Sequence, residues 1–466
     1  MDRRRYLAVA GTAALAGCLG RVGLGGDEGT EQTFERTSAE LTARKLARGT
    51  SRLNEVALAL GLVADRVDDP EEFEFDADDH RERLEAARTH LTEVDERVAD
   101  REELLAYADG LEGTLDGLEG VADGEFGDDE ALESAVDERR FEEAREHLDR
   151  RRSGLAEPLD RVEPARETLA DLDRDRLDEL SAVDAEPIEE GATRLIGTLG
   201  AGLELTDAYG RTIDGFEGLE AGESHLEEEA FGSAGDAFDD AEATFDDAAA
   251  ILDGMDEEEA EPVEAERSRL QEVVGAGTGL AEANGTATEG FTRLEEGGEH
   301  VDDESLGSAR KSFAAARESF TEAEDTLETV DPVDVGPLDD GAAELGEVLE
   351  ASVTLTDAND ATVAGLQRID AGEDHSEARE FEDARVEFLA AREEFADATA
   401  TLEAADTPPD RLEDRFDRAR CRSETLEEGA DTFVEAMDAA IDGRPGEADA
   451  LETEARETIE DAEDCD

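Results

Sequence analysis

Tryptophan is absent from this 466-residue chain, and aromatic side chains of every kind make up 4% of it. Without bulky rings there is little to fill a thick globular core. Proline occurs only ten times, which leaves room for long uninterrupted helices. Three cysteines exclude a disulfide-dense scaffold, and no Cys-x-x-Cys or His-x-x-x-His pair offers a zinc site. No apolar run reaches the ~20 residues that a bilayer-spanning helix needs. Phosphate-loop, Gly-x-Ser-x-Gly and His-Glu-x-x-His motifs are all missing. No catalytic, cofactor or metal site is therefore expected, and the chain reads as non-enzymatic.

Bases are also scarce. Lysine occurs twice, at Lys45 and Lys311, and 44 basic residues face 133 acidic ones, for a formal charge of −89. Such a field repels phosphate backbones, so nucleic acid is not an expected partner. An acid excess with almost no lysine is similar to the proteomes of halophilic archaea. The physics fits that resemblance, because at molar salt the Debye length is about 3 Å and neighbouring carboxylates barely repel.

The first eighteen residues carry an address. Arg3-Arg4 followed by Arg5-Tyr6-Leu7 resembles the twin-arginine export motif. A short apolar core leads to Leu15-Ala16-Gly17-Cys18, which resembles a lipoprotein signal-peptidase box. The resemblance implies a signal peptide over 1–17, lipid on Cys18 and a Gly-rich tether over 18–30. It implies a protein held on the extracytoplasmic face of the cell membrane by lipid on Cys18 alone.

Beyond the tether the chain repeats with a period of 75 residues. Gly215-Phe-Glu-Gly-Leu-Glu-Ala-Gly-Glu-Ser-His225 returns at Gly290–His300 and Gly365–His375, and Pro187, Pro262 and Pro337 keep the same register. Each proline suits the first turn of a helix. Gly222, Gly297 and Gly372 suit a left-handed stop about 35 residues later, and Ser224-x-x-Glu227 resembles a capping box for the helix that follows.

That second helix has the clearest pattern. Phe231, Ala234, Phe238, Ala241, Phe245, Ala248 and Leu252 alternate in steps of three and four, and the series returns from Leu306 to Leu327 and from Phe381 to Leu402. A strict 3–4 alternation is a coiled-coil-like seam. Large and small residues alternate along it, so each phenylalanine is expected to enter the space a facing alanine leaves.

Phe381-Glu-Asp-Ala384-Arg-Val-Glu-Phe388-Leu-Ala-Ala391 resembles the second helix of a tetratricopeptide unit, a family whose arrays mostly bind proteins or peptides. The expected fold is all-α: about six tandem antiparallel hairpins stacked as an elongated solenoid. The layout is irregular hairpins over 31–180, three regular repeats over 181–405 and a capping hairpin over 406–466. The expected role is a protein-interaction or envelope scaffold. The alternative is a small-ligand or cation-binding surface lipoprotein.

Few residues stand out as sites. Cys421 and Cys465 lie equidistant from the turn expected at Gly443–Gly446, so an antiparallel hairpin would bring them together as a disulfide. His225, His300 and His375 recur at one turn position, too far apart to share an ion. Tyr209, Asn284 and Asn359 occupy one level of the first helix. They read either as buried register-fixing polar groups or as the lining of a shallow groove. Asn284-Gly-Thr286 is a glycosylation sequon on that same seam.

Overall fold

The computed structural model describes residues 30–64, 77–122, 129–180, 185–256, 263–330, 335–405, 407–462 and 465. Among them there is no strand, and fourteen helices follow one another. They are α1 (Thr30–Ala64), α2 (Ala77–Thr92), α3 (Ala99–Ala122), α4 (Asp129–Asp137), α5 (Phe141–Ala170), α6 (Arg174–Leu180) and α7 (Glu186–Glu227). Then come α8 (Phe231–Gly254), α9 (Glu264–Asp302), α10 (Leu306–Glu328), α11 (Gly336–Glu377), α12 (Phe381–Ala404), α13 (Asp410–Ile441) and α14 (Pro445–Asp461). Six hairpins result: α1/α2, α3/α5, α7/α8, α9/α10, α11/α12 and α13/α14. Each of α8, α10 and α12 packs on its own first helix and on the first helix of the next unit. None of the described helices is long and apolar enough to cross a membrane.

The seam is buried as its spacing predicts. Ala234, Phe238, Ala241, Phe245, Ala248 and Leu252 are all at most 1% exposed. The spaces the rings enter are left by glycines, not by facing alanines. A Cβ built on Gly215 would stand 2.7 Å from the Phe245 ring, one on Gly297 2.3 Å from Phe313, and one on Gly372 2.5 Å from Phe388. Phe245 is held from two sides, since a Cβ built on Gly277 of α9 would also stand 2.7 Å from the same ring. Glycine backbones let helices close on the rings, and dispersion contact replaces the missing side chains. Phe216 and Phe245 add an edge-to-face pair at 5.6 Å, repeated by Phe291 and Phe320 at 5.0 Å.

The first helices do not stop where the glycines suggest. α7 runs through Gly222 to Glu227, and α9 and α11 likewise pass Gly297 and Gly372. Those glycines serve ring packing. Ser224 and Glu227 lie inside α7 rather than capping α8, whose N-cap Ala230 makes no side-chain hydrogen bond. The left-handed residue is Glu229, with φ 56°, and its equivalents are Arg139, Glu304 and Arg379. At each of these turns the backbone closes in a Schellman pattern: Glu229 N–H donates to Leu226 O at 3.1 Å and Ala230 N–H to His225 O at 2.9 Å. Gly443 makes the same turn between α13 and α14 with φ 78°. Pro187 and Pro337 open α7 and α11 as expected, and Pro262 lies outside the described residues.

The row is wound rather than straight. α1 touches α7, and α4 touches α11. On α13, Arg415 pairs with Glu229 at 2.7 Å and lies 5.5 Å from the centroid of the Phe231 ring, three units back. Arg422 reaches Asp302 at 3.6 Å and Arg411 reaches Glu344 at 3.4 Å. The scarce arginines thus tie unit to unit. Other ties are Arg145 to Asp214 and Glu217, Arg310 to Asp360 and Arg385 to Asp438.

Candidate functional site

Cys18, Arg3 and Arg4 lie outside the described residues. Cys421 and Cys465 form a disulfide with a Cα–Cα distance of 5.8 Å, joining α13 to the residues just after α14. The three residues of the expected groove do not come together. Tyr209 lines a cavity between α4, α5, α7 and α9. Asn284 borders a separate open crevice between α9, α11 and the start of α13. It is 5% exposed, and its side-chain amide donates to Leu280 O at 3.0 Å within its own helix. That burial leaves no room for a glycan. Asn359 is half-buried on α11 and lines neither space.

The Tyr209 cavity measures about 390 Å³, within the range of small-ligand sites. Its floor is apolar, built from Ile213, Phe216, Leu270 and Val273, with Leu132 and Val136 of α4 across from them. Arg151 of α5 forms a two-point ion pair with Glu266 of α9, at 2.6 and 2.8 Å, and its side chain is only 11% exposed. The Arg151 guanidinium also lies 5.8 Å from the Tyr209 ring centroid. Burial pushes the Tyr209 phenol above its ordinary pKa, and the Glu266 carboxylate beside it pushes the same way. The phenol is therefore neutral at physiological pH and able to donate. At the mouth Arg269 pairs with Glu133. Thr212 hydroxyl is occupied by Ala208 O at 2.9 Å. Guanidinium, carboxylate and phenol groups held this way can bind and orient a small molecule with a polar or charged group.

Two open crevices meet at Arg411. One runs along α13 past Arg415 and Arg418 to the disulfide. The other is edged by Glu223, Glu227, Glu344, Glu347 and Glu350. Burial lowers the Arg411 pKa, and Glu344 opposes that effect. Both crevices are seams where the wound array closes on itself.

His225, His300 and His375 sit at the C-terminal ends of α7, α9 and α11, where their carbonyls accept the Schellman hydrogen bonds. His375 Nδ1 lies 2.7 Å from Glu380, which raises the imidazole pKa. His375, Glu380 and Asp383 place ligand-type atoms within 4.8 Å of one another. The carboxylates are exposed, and the other two repeats carry no acid at either position.

Arg151 and Glu266 escape a reading by motif. The signal that finds them is a break in the repeat. Counted twelve residues from the left-handed turn residue, Arg151 stands where the other units have Ala241, Ala316 and Ala391. Glu266 stands where they have Gly191 and Gly341, and Tyr209 where they have asparagine. Comparison of the chain with family models, with curated proteins and with solved structures finds no match.

Proposed function

We propose that the chain is a lipid-anchored, extracytoplasmic, non-enzymatic helical-repeat protein that serves as a protein-interaction or envelope scaffold. The observation that carries this reading is how the charge is distributed. Arginines such as Arg145, Arg310, Arg385 and Arg415 are drawn into ties between units, so carboxylates dominate what the array turns outward. Stacked hairpins offer a long continuous face for a protein or envelope partner. The charge of −89 disfavours nucleic acid as that partner. In this reading Arg3 and Arg4 direct export, and lipid on Cys18 holds the array at the membrane. The test is capture of the tagged, membrane-held protein at native salt, with co-purifying proteins identified by mass spectrometry. A stoichiometric envelope partner is expected; a protein that always purifies alone contradicts the scaffold role.

The alternative, binding of a small ligand or cation, is favoured by one feature, the cavity at Tyr209.

A further inference from the structure

Repeat proteins tolerate one idealised unit copied along the chain, and departures from the copy cost stability unless something else retains them. Here three departures meet at one place. Arg151 replaces a seam alanine, Glu266 replaces a glycine and Tyr209 replaces an asparagine. Arg151 and Glu266 are bonded to each other at 2.6 Å, and Tyr209 lies under the guanidinium. An ion pair in an apolar seam is a poor way to gain stability, because desolvation offsets most of the attraction. All three residues border the same cavity of about 390 Å³.

We propose that this cavity is a binding site for a small apolar cation, an aromatic or alkyl amine. The apolar body would rest on Ile213, Phe216 and Leu270, and the ammonium would sit toward Glu266 and the Tyr209 oxygen. The sign of the ligand follows from the lining. The wall offers the Glu266 carboxylate and the Tyr209 oxygen as acceptors beside an apolar floor, and the charge of the whole chain draws cations inward. The Arg151–Glu266 pair holds Glu266 in place, so the carboxylate is oriented before the amine arrives.

The probe is tryptamine. The chain contains no tryptophan, so indole emission reports the ligand alone. Titration of the full chain at molar salt should give saturable binding with a blue-shifted emission, while indole-3-acetate, with the same ring and opposite charge, should not bind. Two variants restore the repeat: Tyr209→Asn, and the double variant Arg151→Ala with Glu266→Gly. The double variant removes both partners together, so no buried charge is stranded and the net charge is unchanged. Nonspecific attraction of the amine to the acidic surface is thereby held constant. Each is expected to remain folded at molar salt, as its helical circular dichroism and cooperative melt would show, and to bind tryptamine about tenfold or more weakly. Absence of saturable tryptamine binding overturns the proposal, as does equal binding of indole-3-acetate. Unchanged affinity in either folded variant overturns it too.

Discussion

Gly222 and Phe238 share one space: a methyl group built on Gly222 would stand 2.4 Å from the ring. Glycine in a helix interior ordinarily costs about 1 kcal/mol relative to alanine, so Gly→Ala there normally stabilises. At Gly222 the sign should reverse, with Gly222→Ala losing roughly 1–3 kcal/mol through overpacking. Gly275, in the equivalent first helix of the next unit, has nothing within 4 Å of a built Cβ, and Gly275→Ala should gain up to about 1 kcal/mol. Denaturant melts of the two variants at native salt check the pair. The same sign for both would mean the glycines are not where the helices close.

Phe313 fills the equivalent space in the next unit and is 3% exposed. Phe313→Ala should lose about 3–5 kcal/mol at native salt. An unchanged melting curve would count against the seam as the core of the array.

The Cys421–Cys465 bridge closes a loop over a sequence separation of 44 residues, which in the chain-entropy picture is worth roughly 4 kcal/mol to the terminal hairpin. Contacts in a repeat array are mostly between neighbours. The double variant Cys421→Ser/Cys465→Ser should therefore loosen α13 and α14 first while the bodies of α7 to α10, away from the turn at Glu229, stay protected from hydrogen exchange. Because Arg415 of α13 ties back to Glu229, protection around that turn should fall as well. Uniform loss of protection along the chain would contradict this.

Two carboxylates respond to pH with opposite sign. The Arg415 guanidinium holds the Glu229 carboxyl below its ordinary range. That pair stabilises the fold above the unfolded value of about 4.3, and the contribution fades as pH drops through the lower folded value. Burial, then Glu373, Asp374 and Glu304, push the Asp370 carboxyl up. Its ionisation opposes folding above the raised folded pKa, and the penalty vanishes below about 3.9. Glu229→Gln should lower the melting midpoint near pH ~7 and become neutral in acid. Asp370→Asn should raise the midpoint near pH ~7, less so toward pH ~4 and toward molar salt. Thermal melts at the two pH values decide, and pH-independent effects would contradict the assignments.

The repeat period, the buried seam from Phe231 to Leu252, the helix-opening Pro187 and Pro337 and the hairpin count were all legible in the sequence, because each rests on residue type and spacing. Helix ends were not. Glycine serves both a left-handed stop and a close approach, and the letters at Gly222 are the same for either; only the facing Phe238 ring decides. The true left-handed residue, Glu229, carries a side chain that gives no hint of positive φ. Winding was also hidden, since Arg415 and Glu229 are 186 residues apart. Of the candidate groove, Tyr209 borders one cavity, Asn284 borders a separate crevice and Asn359 lines neither. Equivalence in a repeat places residues in a row, one per unit, and a cavity gathers residues from several elements. Arg151 and Glu266 become visible only when the repeat is searched for departures.

The account's central claim is a folded helical array held on the outer face of a membrane by lipid on one cysteine. Mass spectrometry of the N-terminal peptide from washed membranes tests it most directly. The account predicts a mature chain that begins at Cys18 and carries added lipid mass. A chain retaining Met1 to Gly17, or one with an unmodified Cys18 thiol in the soluble fraction, would contradict it.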